Sequence, residues 1–97
     1  MVKHIVMFKL NQKSSENLER ALTALKSMEG KIETLKHLEV GINFKESERS
    51  YDLVLTTHFE NKKGLEVYAN HEFHQPVIKT LQGLCSHSIV VDYETDF

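Results

Sequence analysis

The chain begins with a segment in which apolar and polar positions alternate. In residues 2–10, one face is apolar except for His4, whereas the opposite face places Ile5 and Met7 between two lysines. Period-two alternation with β-branched and aromatic side chains predicts a strand. Because both faces carry apolar side chains near the middle of the segment, we expect both faces of this strand to be covered.

Residues 14–30 change to a helical pattern. Apolar side chains recur at three- and four-residue spacing and form a single stripe, made of Leu18, Ala21, Leu22, Leu25 and Met28. Ser14 or Ser15 can cap the first amide groups, and Gly30 suits a left-handed exit from the helix. We therefore predict an amphipathic helix whose apolar stripe belongs to the core.

The rest of the chain predicts three more strands and a helical segment in two parts. Residues 38–44 alternate, and after a charged loop residues 51–60 predict the partner strand of a hairpin. Asn61 is the predicted cap of a short helix, and Pro76 suits the first turn of a second helix. Residues 87–94 alternate again and predict the last strand.

The order β-α-β-β-α-β is that of an α+β, ferredoxin-like protomer, an antiparallel sheet with helices on one face. A single helical layer covers only one face of this sheet. The apolar positions on the other face then need a second sheet, most simply that of an identical chain. We expect one domain over residues 1–97 that forms a homodimer through the sheet face.

Composition restricts the partners and the compartment. The 12 basic and 14 acidic residues give a formal net charge of −2, without the basic stripe of a nucleic-acid-binding domain. Cys85, the single cysteine, excludes an internal disulfide, and its apolar surroundings predict a small buried hydrophobe, not a nucleophile. No apolar run approaches ~20 residues, so we expect no membrane span. These features predict a cytoplasmic protein with neither nucleic-acid nor membrane partners.

Chemistry-bearing side chains concentrate in "YANHEFHQPV", residues 68–77. Tyr68, His71 and His74 lie within seven residues. The spacing of the two histidines differs from that of the HExxH zinc motif, so we expect no metal site. Histidine exchanges a proton near neutral pH and tyrosine can donate to an oxyanion, which favours acid–base chemistry. The alternative is a packing and capping pair at a bend.

Two further polar groups lie on predicted strands. His4 is the lone polar group on an apolar face, and Asp92 shares a face of the last strand with Val90. Polar groups beneath the helices are costly unless they are paired or face a hydrated pocket. They therefore indicate either a ligand site or a histidine satisfied by a backbone carbonyl.

The opening strand, the segment 68–77 and the closing "SIVVDYE" resemble the stress-responsive A/B barrel domain (Dabb) family, and together they frame essentially the whole chain. The resemblance implies a dimeric α+β barrel, in which the sheets of two ferredoxin-like protomers pack face to face. The family includes a plant polyketide cyclase that uses neither a metal nor an organic cofactor. Its catalytic tyrosine and histidine fall on Tyr68 and His74, and its supporting histidine and aspartate on His4 and Asp92.

The implied roles are those of a cofactor-free acid–base site. His74 is expected to act as a base oriented by Asp92, and Tyr68 to stabilise negative charge on a carbonyl oxygen. We assign substrate contacts to His4, Asp92 and His71. The function that follows is the binding or transformation of a small carbonyl-bearing molecule by a stress-response-type homodimer. Two alternatives stay open: a non-catalytic stress protein that acts through its dimer or a larger assembly, and a cofactor-free monooxygenase.

Overall fold

A computed structural model describes residues 1–96; Phe97, which the predicted domain includes, lies outside the described residues. The elements follow the predicted order, with the second helical segment divided in two. They are β1 (Val2–Leu10), α1 (Ser15–Lys26), β2 (His37–Ile42), β3 (Leu53–Phe59), α2 (Lys62–Ala69), α3 (Gln75–Leu84) and β4 (Cys85–Glu94). No helix within residues 1–96 is long and apolar enough to cross a membrane.

The four strands form one antiparallel sheet in the order β2-β3-β1-β4. The first strand of the chain is therefore central, between β3 and the edge strand β4. The register places His4 opposite Thr57 on one side and opposite Asp92 on the other. The ferredoxin-like topology thus brings together two polar groups from the two ends of the chain.

The core lies between the helices and one face of the sheet. Ala21, Leu25 and Met28 of the predicted stripe are buried, and Leu18 packs against them. The helix begins where the Ser14 hydroxyl accepts a hydrogen bond from the Asn17 amide at 3.1 Å, as a capping serine should.

The chain leaves this helix somewhat earlier than the pattern predicted. Gly30 has the expected left-handed conformation, with φ 75°. The helix itself ends at Lys26, and turns fill the residues between. Gly30 therefore closes these turns and does not directly follow the last helical residue.

The face of the sheet opposite the helices, here called the outer face, carries exposed apolar side chains. On this face, the register of β1 and β4 pairs Met7 with Ile89 and Ile5 with Val91. Met7 is 42% exposed and Val91 is 62% exposed. The apolar outer face that the sequence predicted is present, and none of the helices within residues 1–96 covers it.

Candidate functional site

A cavity of about 380 Å³ lies between the helices and the helix-facing side of β1 and β4. Apolar side chains from the sheet, α1 and α3 form much of its wall. The polar lining residues are His4, Tyr68, His74, Gln82, Ser86, His87 and Ser88. Within residues 1–96, no lysine, arginine, aspartate or glutamate belongs to the lining. The cavity is thus an apolar space with a few hydrogen-bonding groups, as small-molecule sites usually are.

Tyr68 lies near the end of α2, where its side chain turns into the core. The residue is 1% exposed, and its ring meets the Phe59 ring edge-on with 5.0 Å between centroids. The hydroxyl is buried and has no hydrogen-bond partner within residues 1–96. Burial raises the pKa of Tyr68 far above its ordinary value, so the phenol stays protonated. The side chain is thus a neutral hydrogen-bond donor whose partner does not lie among the side chains and backbone of residues 1–96.

His74 stands next to this phenol, at the start of α3. Its Nδ1 lies 3.1 Å from the carbonyl oxygen of Ala69, and the two rings of His74 and Tyr68 are 4.3 Å apart between centroids. A carbonyl oxygen only accepts, so we assign the proton to Nδ1 and the lone pair to Nε2. Burial lowers the pKa of His74, and the nearby His4 and His71 add to this effect against the opposing Ala69 hydrogen bond. His74 is therefore a neutral imidazole with a basic Nε2.

His4 borders the same cavity from the centre of the sheet. Its Nδ1 is bound to an Asp92 carboxylate oxygen, because the β1–β4 register makes the two residues direct neighbours. The His4 ring lies 5.8 Å from the Tyr68 ring between centroids. Asp92 lies behind His4, with its side chain 46% exposed, and is not itself part of the lining.

The orientation of His74 differs from the one the resemblance implied. Asp92 binds His4, whereas the Ala69 carbonyl holds His74. The physical reason is position: Asp92 lies in the sheet beside β1, and His74 lies in the helical layer, where the end of α2 supplies the nearer acceptor.

His71 is outside the cavity lining. Its Nε2 lies 3.5 Å from a Glu33 carboxylate oxygen, and its Nδ1 accepts the Phe73 amide at 3.2 Å. The bend between α2 and α3 turns this ring towards the segment that follows α1. The structure therefore brings Tyr68, His74 and His4 to one cavity and does not bring the predicted substrate contact His71 there.

The cavity also has a polar border on β4 that sequence analysis missed. Ser86, His87 and Ser88 all belong to its lining. The β1–β4 register shifts between Lys9 and Leu10, where Ser86 is the extra residue. A bulge of this kind lets the side chains of consecutive residues line the same cavity. The alternation of apolar and polar residues in the sequence does not predict where a bulge occurs.

Cys85, which precedes this border, is half-buried and packs against the core, and it also lines the cavity. Burial raises the pKa of its thiol, so the thiolate is disfavoured. Within residues 1–96, no group of three or more histidine, cysteine, aspartate or glutamate side chains could hold a metal ion. The titratable side chains that line the cavity are thus the Tyr68 phenol, the Cys85 thiol and the imidazoles.

The fold and the site define a ferredoxin-like α+β protein with a small-molecule cavity between sheet and helices. The stress responsive A/B barrel domain family, Dabb, matches residues 2–95, and the chain belongs to this family.

The chain is also similar to solved structures and to one curated protein. A dimeric protein of unknown function from Bacteroides fragilis is 30% identical, with a TM-score of 0.83 over 97% of this chain and 95% of that chain. An uncharacterized protein of Streptomyces coelicolor is 27% identical over 97% of this chain and 99% of its own length. A hydroxynitrile lyase from Passiflora edulis shares the fold, at 13% identity and a TM-score of 0.83 over 99% of this chain and 94% of that chain.

Proposed function

We propose that this protein binds a small, uncharged, carbonyl-bearing molecule in the cavity and transfers a proton to or from it without a cofactor. The supporting observation is the buried Tyr68 hydroxyl, which lacks an acceptor within residues 1–96. A buried donor without an acceptor costs about 1–3 kcal/mol, and a ligand oxygen would remove this cost. The donor stands beside His74, whose Nδ1 is held by Ala69.

The chemistry follows from these two groups. Nε2 of His74 takes the proton from the carbon next to the carbonyl group. Negative charge then develops on the carbonyl oxygen, where the Tyr68 hydroxyl donates a hydrogen bond to it. The apolar part of the wall lowers the local polarity, which strengthens this interaction in the transition state.

The lining indicates what the ligand carries besides the carbonyl group. A volume of about 380 Å³ suits a small molecule, since such sites span roughly 300–1,000 Å³. A carboxylate or phosphate on the ligand would find no lysine or arginine among the lining residues within 1–96. Because an unpaired buried charge is costly, the ligand is uncharged and largely apolar. The Passiflora protein of the same fold is named as a lyase, which agrees with an enzymatic use of such a fold.

We further infer a homodimer in which the outer faces of two sheets meet. Exposed apolar side chains concentrate on this face, and the Bacteroides relative at 30% identity is described as dimeric. Two sheets packed in this way form the dimeric α+β barrel. The cavity lies on the opposite side of each sheet and stays open to ligands.

The test is the exchange of α-protons of acetophenone in D₂O, followed by NMR. Wild-type protein should accelerate the exchange, and it should act more slowly on the matched anion para-acetylbenzoate. H74Q should lower the rate by about 10²–10⁴-fold, as expected for a general base. Y68F should lower it by about 10²-fold, as expected for an oxyanion donor. H37Q changes an exposed histidine on β2 and is the matched control.

The pH dependence of the exchange is a second readout of the same experiment. The lowered pKa of His74 keeps the basic neutral form at pH values below the ordinary histidine pKa of about 6.5. The rate should therefore fall on acidification only below that value. Exchange that is absent from the wild type, or unchanged in H74Q and Y68F, contradicts the proposal and favours a non-catalytic protein that acts through its dimer.

A further inference from the structure

Two of the three histidines that line the cavity, His74 and His4, have Nδ1 atoms bound to chemically different acceptors. Nδ1 of His74 is bound to a neutral carbonyl oxygen, that of Ala69, at 3.1 Å. Nδ1 of His4 is bound to the carboxylate of Asp92. A carboxylate balances the positive charge of a protonated imidazole, whereas a backbone carbonyl mainly orients the ring. His74 is thus suited to accept a proton, and His4 is suited to deliver one.

The rings also stand where a single small molecule can reach both. The Tyr68 ring is a neighbour of both, with its centroid 4.3 Å from that of His74 and 5.8 Å from that of His4. Neither Nε2 atom has a hydrogen-bond partner within residues 1–96, and both residues line the cavity. The titratable groups around His4 are Asp92 on β4, Tyr68 on α2 and His74 at the start of α3.

We propose that His4 is a second catalytic residue, which protonates the carbonyl oxygen while His74 removes the α-proton, and that Asp92 is its positioning residue. The inference rests on the proposed function and specifies its reaction class as keto–enol interconversion. An acid and a base that act on the same substrate avoid a free enolate, which neither group stabilises alone.

The proton balance of this step closes without another reactant. The C–H bond breaks as its proton passes to Nε2 of His74, and the electron pair forms the carbon–carbon double bond. The carbonyl oxygen takes the Nε2 proton of His4 and becomes the enol hydroxyl. The Tyr68 hydroxyl keeps its proton and donates a hydrogen bond to the same oxygen. The reverse step returns both histidines to their starting states.

The experiment compares α-proton exchange of acetophenone against pH for the wild type, H4Q, D92N and D92E. H4Q should lower the rate by about 10²-fold or more, as expected for loss of a general acid. D92N should slow the exchange, because His4 loses the carboxylate that holds its Nδ1. D92E restores a carboxylate and should restore part or all of the rate. H4Q with D92N should be no slower than H4Q alone, since the pair acts as a unit.

E94Q is the matched control, because Glu94 is two residues further along the same face of β4 and pairs with Lys62 at 3.4 Å, outside the cavity lining. Asp92 is half exposed on an edge strand, so D92N should fold, which its thermal unfolding will check. NMR with histidine-selective isotope labelling supplies a readout besides turnover: the Nδ1 signal of His4, which reports its contact with Asp92, should move in D92N, and the Nδ1 signal of His74 should move much less.

The outcomes separate this inference from the proposed function. If H74Q stops the exchange while H4Q and D92N keep the wild-type rate, His4 is not the acid and only this inference fails. An unchanged Nδ1 signal of His4 in D92N also overturns the role of Asp92. If the wild type does not accelerate exchange, both the inference and the proposed function fail.

Discussion

At the scale of single residues, the buried Tyr68 hydroxyl lowers the stability of the ligand-free protein, and we propose that it binds the ligand. The ring is packed between Phe59 and His74, so a phenylalanine would fill the same space. The hydroxyl adds a buried donor that lacks an acceptor within residues 1–96, at a cost of about 1–3 kcal/mol. Folding alone does not require this atom, which is the reason to assign it to the ligand.

Removal of the hydroxyl should therefore stabilise the ligand-free protein. We expect Y68F to raise the free energy of unfolding by about 1 kcal/mol, because an apolar group of the same shape replaces an unsatisfied donor. Urea denaturation of Y68F will measure the difference. The control is Y51F, which changes a half-buried tyrosine outside the cavity lining. A destabilised Y68F would show that the hydroxyl already has an acceptor in the folded protein, such as an ordered water.

At the scale of secondary-structure elements, the short helix α2 determines where Tyr68 stands. Its eight residues are too few for a stable isolated helix, so its ends and contacts matter. The Asn61 side chain accepts the Gly64 amide at 2.9 Å. The Thr34 hydroxyl donates to the Gly64 carbonyl at 2.9 Å and links the helix to the segment after α1. The capping residue is thus part of the support of the site.

Loss of this cap should be measurable as a loss of stability. We expect N61A to lower the free energy of unfolding by about 1 kcal/mol, because the Gly64 amide loses its acceptor. N61D keeps a side-chain oxygen at the same position and should stay close to the wild type. Urea denaturation measures both. Equal losses in N61A and N61D would show that the side-chain oxygen is not what stabilises the helix.

At the scale of the whole molecule, the two faces of the sheet have different roles. The helix-facing side holds the cavity, and the outer face is apolar and exposed. Two neighbouring residues of β4 distinguish these faces, because Val91 pairs with Ile5 on the outer face and Val90 pairs with Val6 on the helix-facing side. Both valines are exposed in the single chain, at 62% and 54%. A charge at one or the other position therefore tests which face meets the second copy.

We expect V91E to yield a monomer, because a carboxylate in an apolar sheet-on-sheet contact would be buried without a partner. V90E has the same change on the neighbouring residue and should remain a dimer. Size-exclusion chromatography with light scattering measures the mass of each. A monomeric V90E together with a dimeric V91E would place the contact on the opposite face.

Much of the fold and part of the site follow from local patterns in the sequence. Ser14 and Asn61 mark helix starts because their side chains accept hydrogen bonds from amide groups of the first turn. Pro76 marks one because the first turn needs no amide hydrogen from it. The structure confirms each position. Alternation along β1 and β4 likewise indicates that His4 and Asp92 lie on the helix-facing side. Such features depend on neighbours a few residues apart, so the sequence alone determined the order of elements and the faces of the strands.

Only the tertiary structure decided which groups meet. His4 and Asp92 are 88 positions apart and become partners through the β1–β4 register, whereas His74 takes the carbonyl of Ala69. The spacing in the sequence treats His71 and His74 alike, but the bend turns only the second ring into the cavity. Hydrogen-bond partners depend on distances between remote elements to within a fraction of an ångström, and no local pattern along the chain encodes such distances.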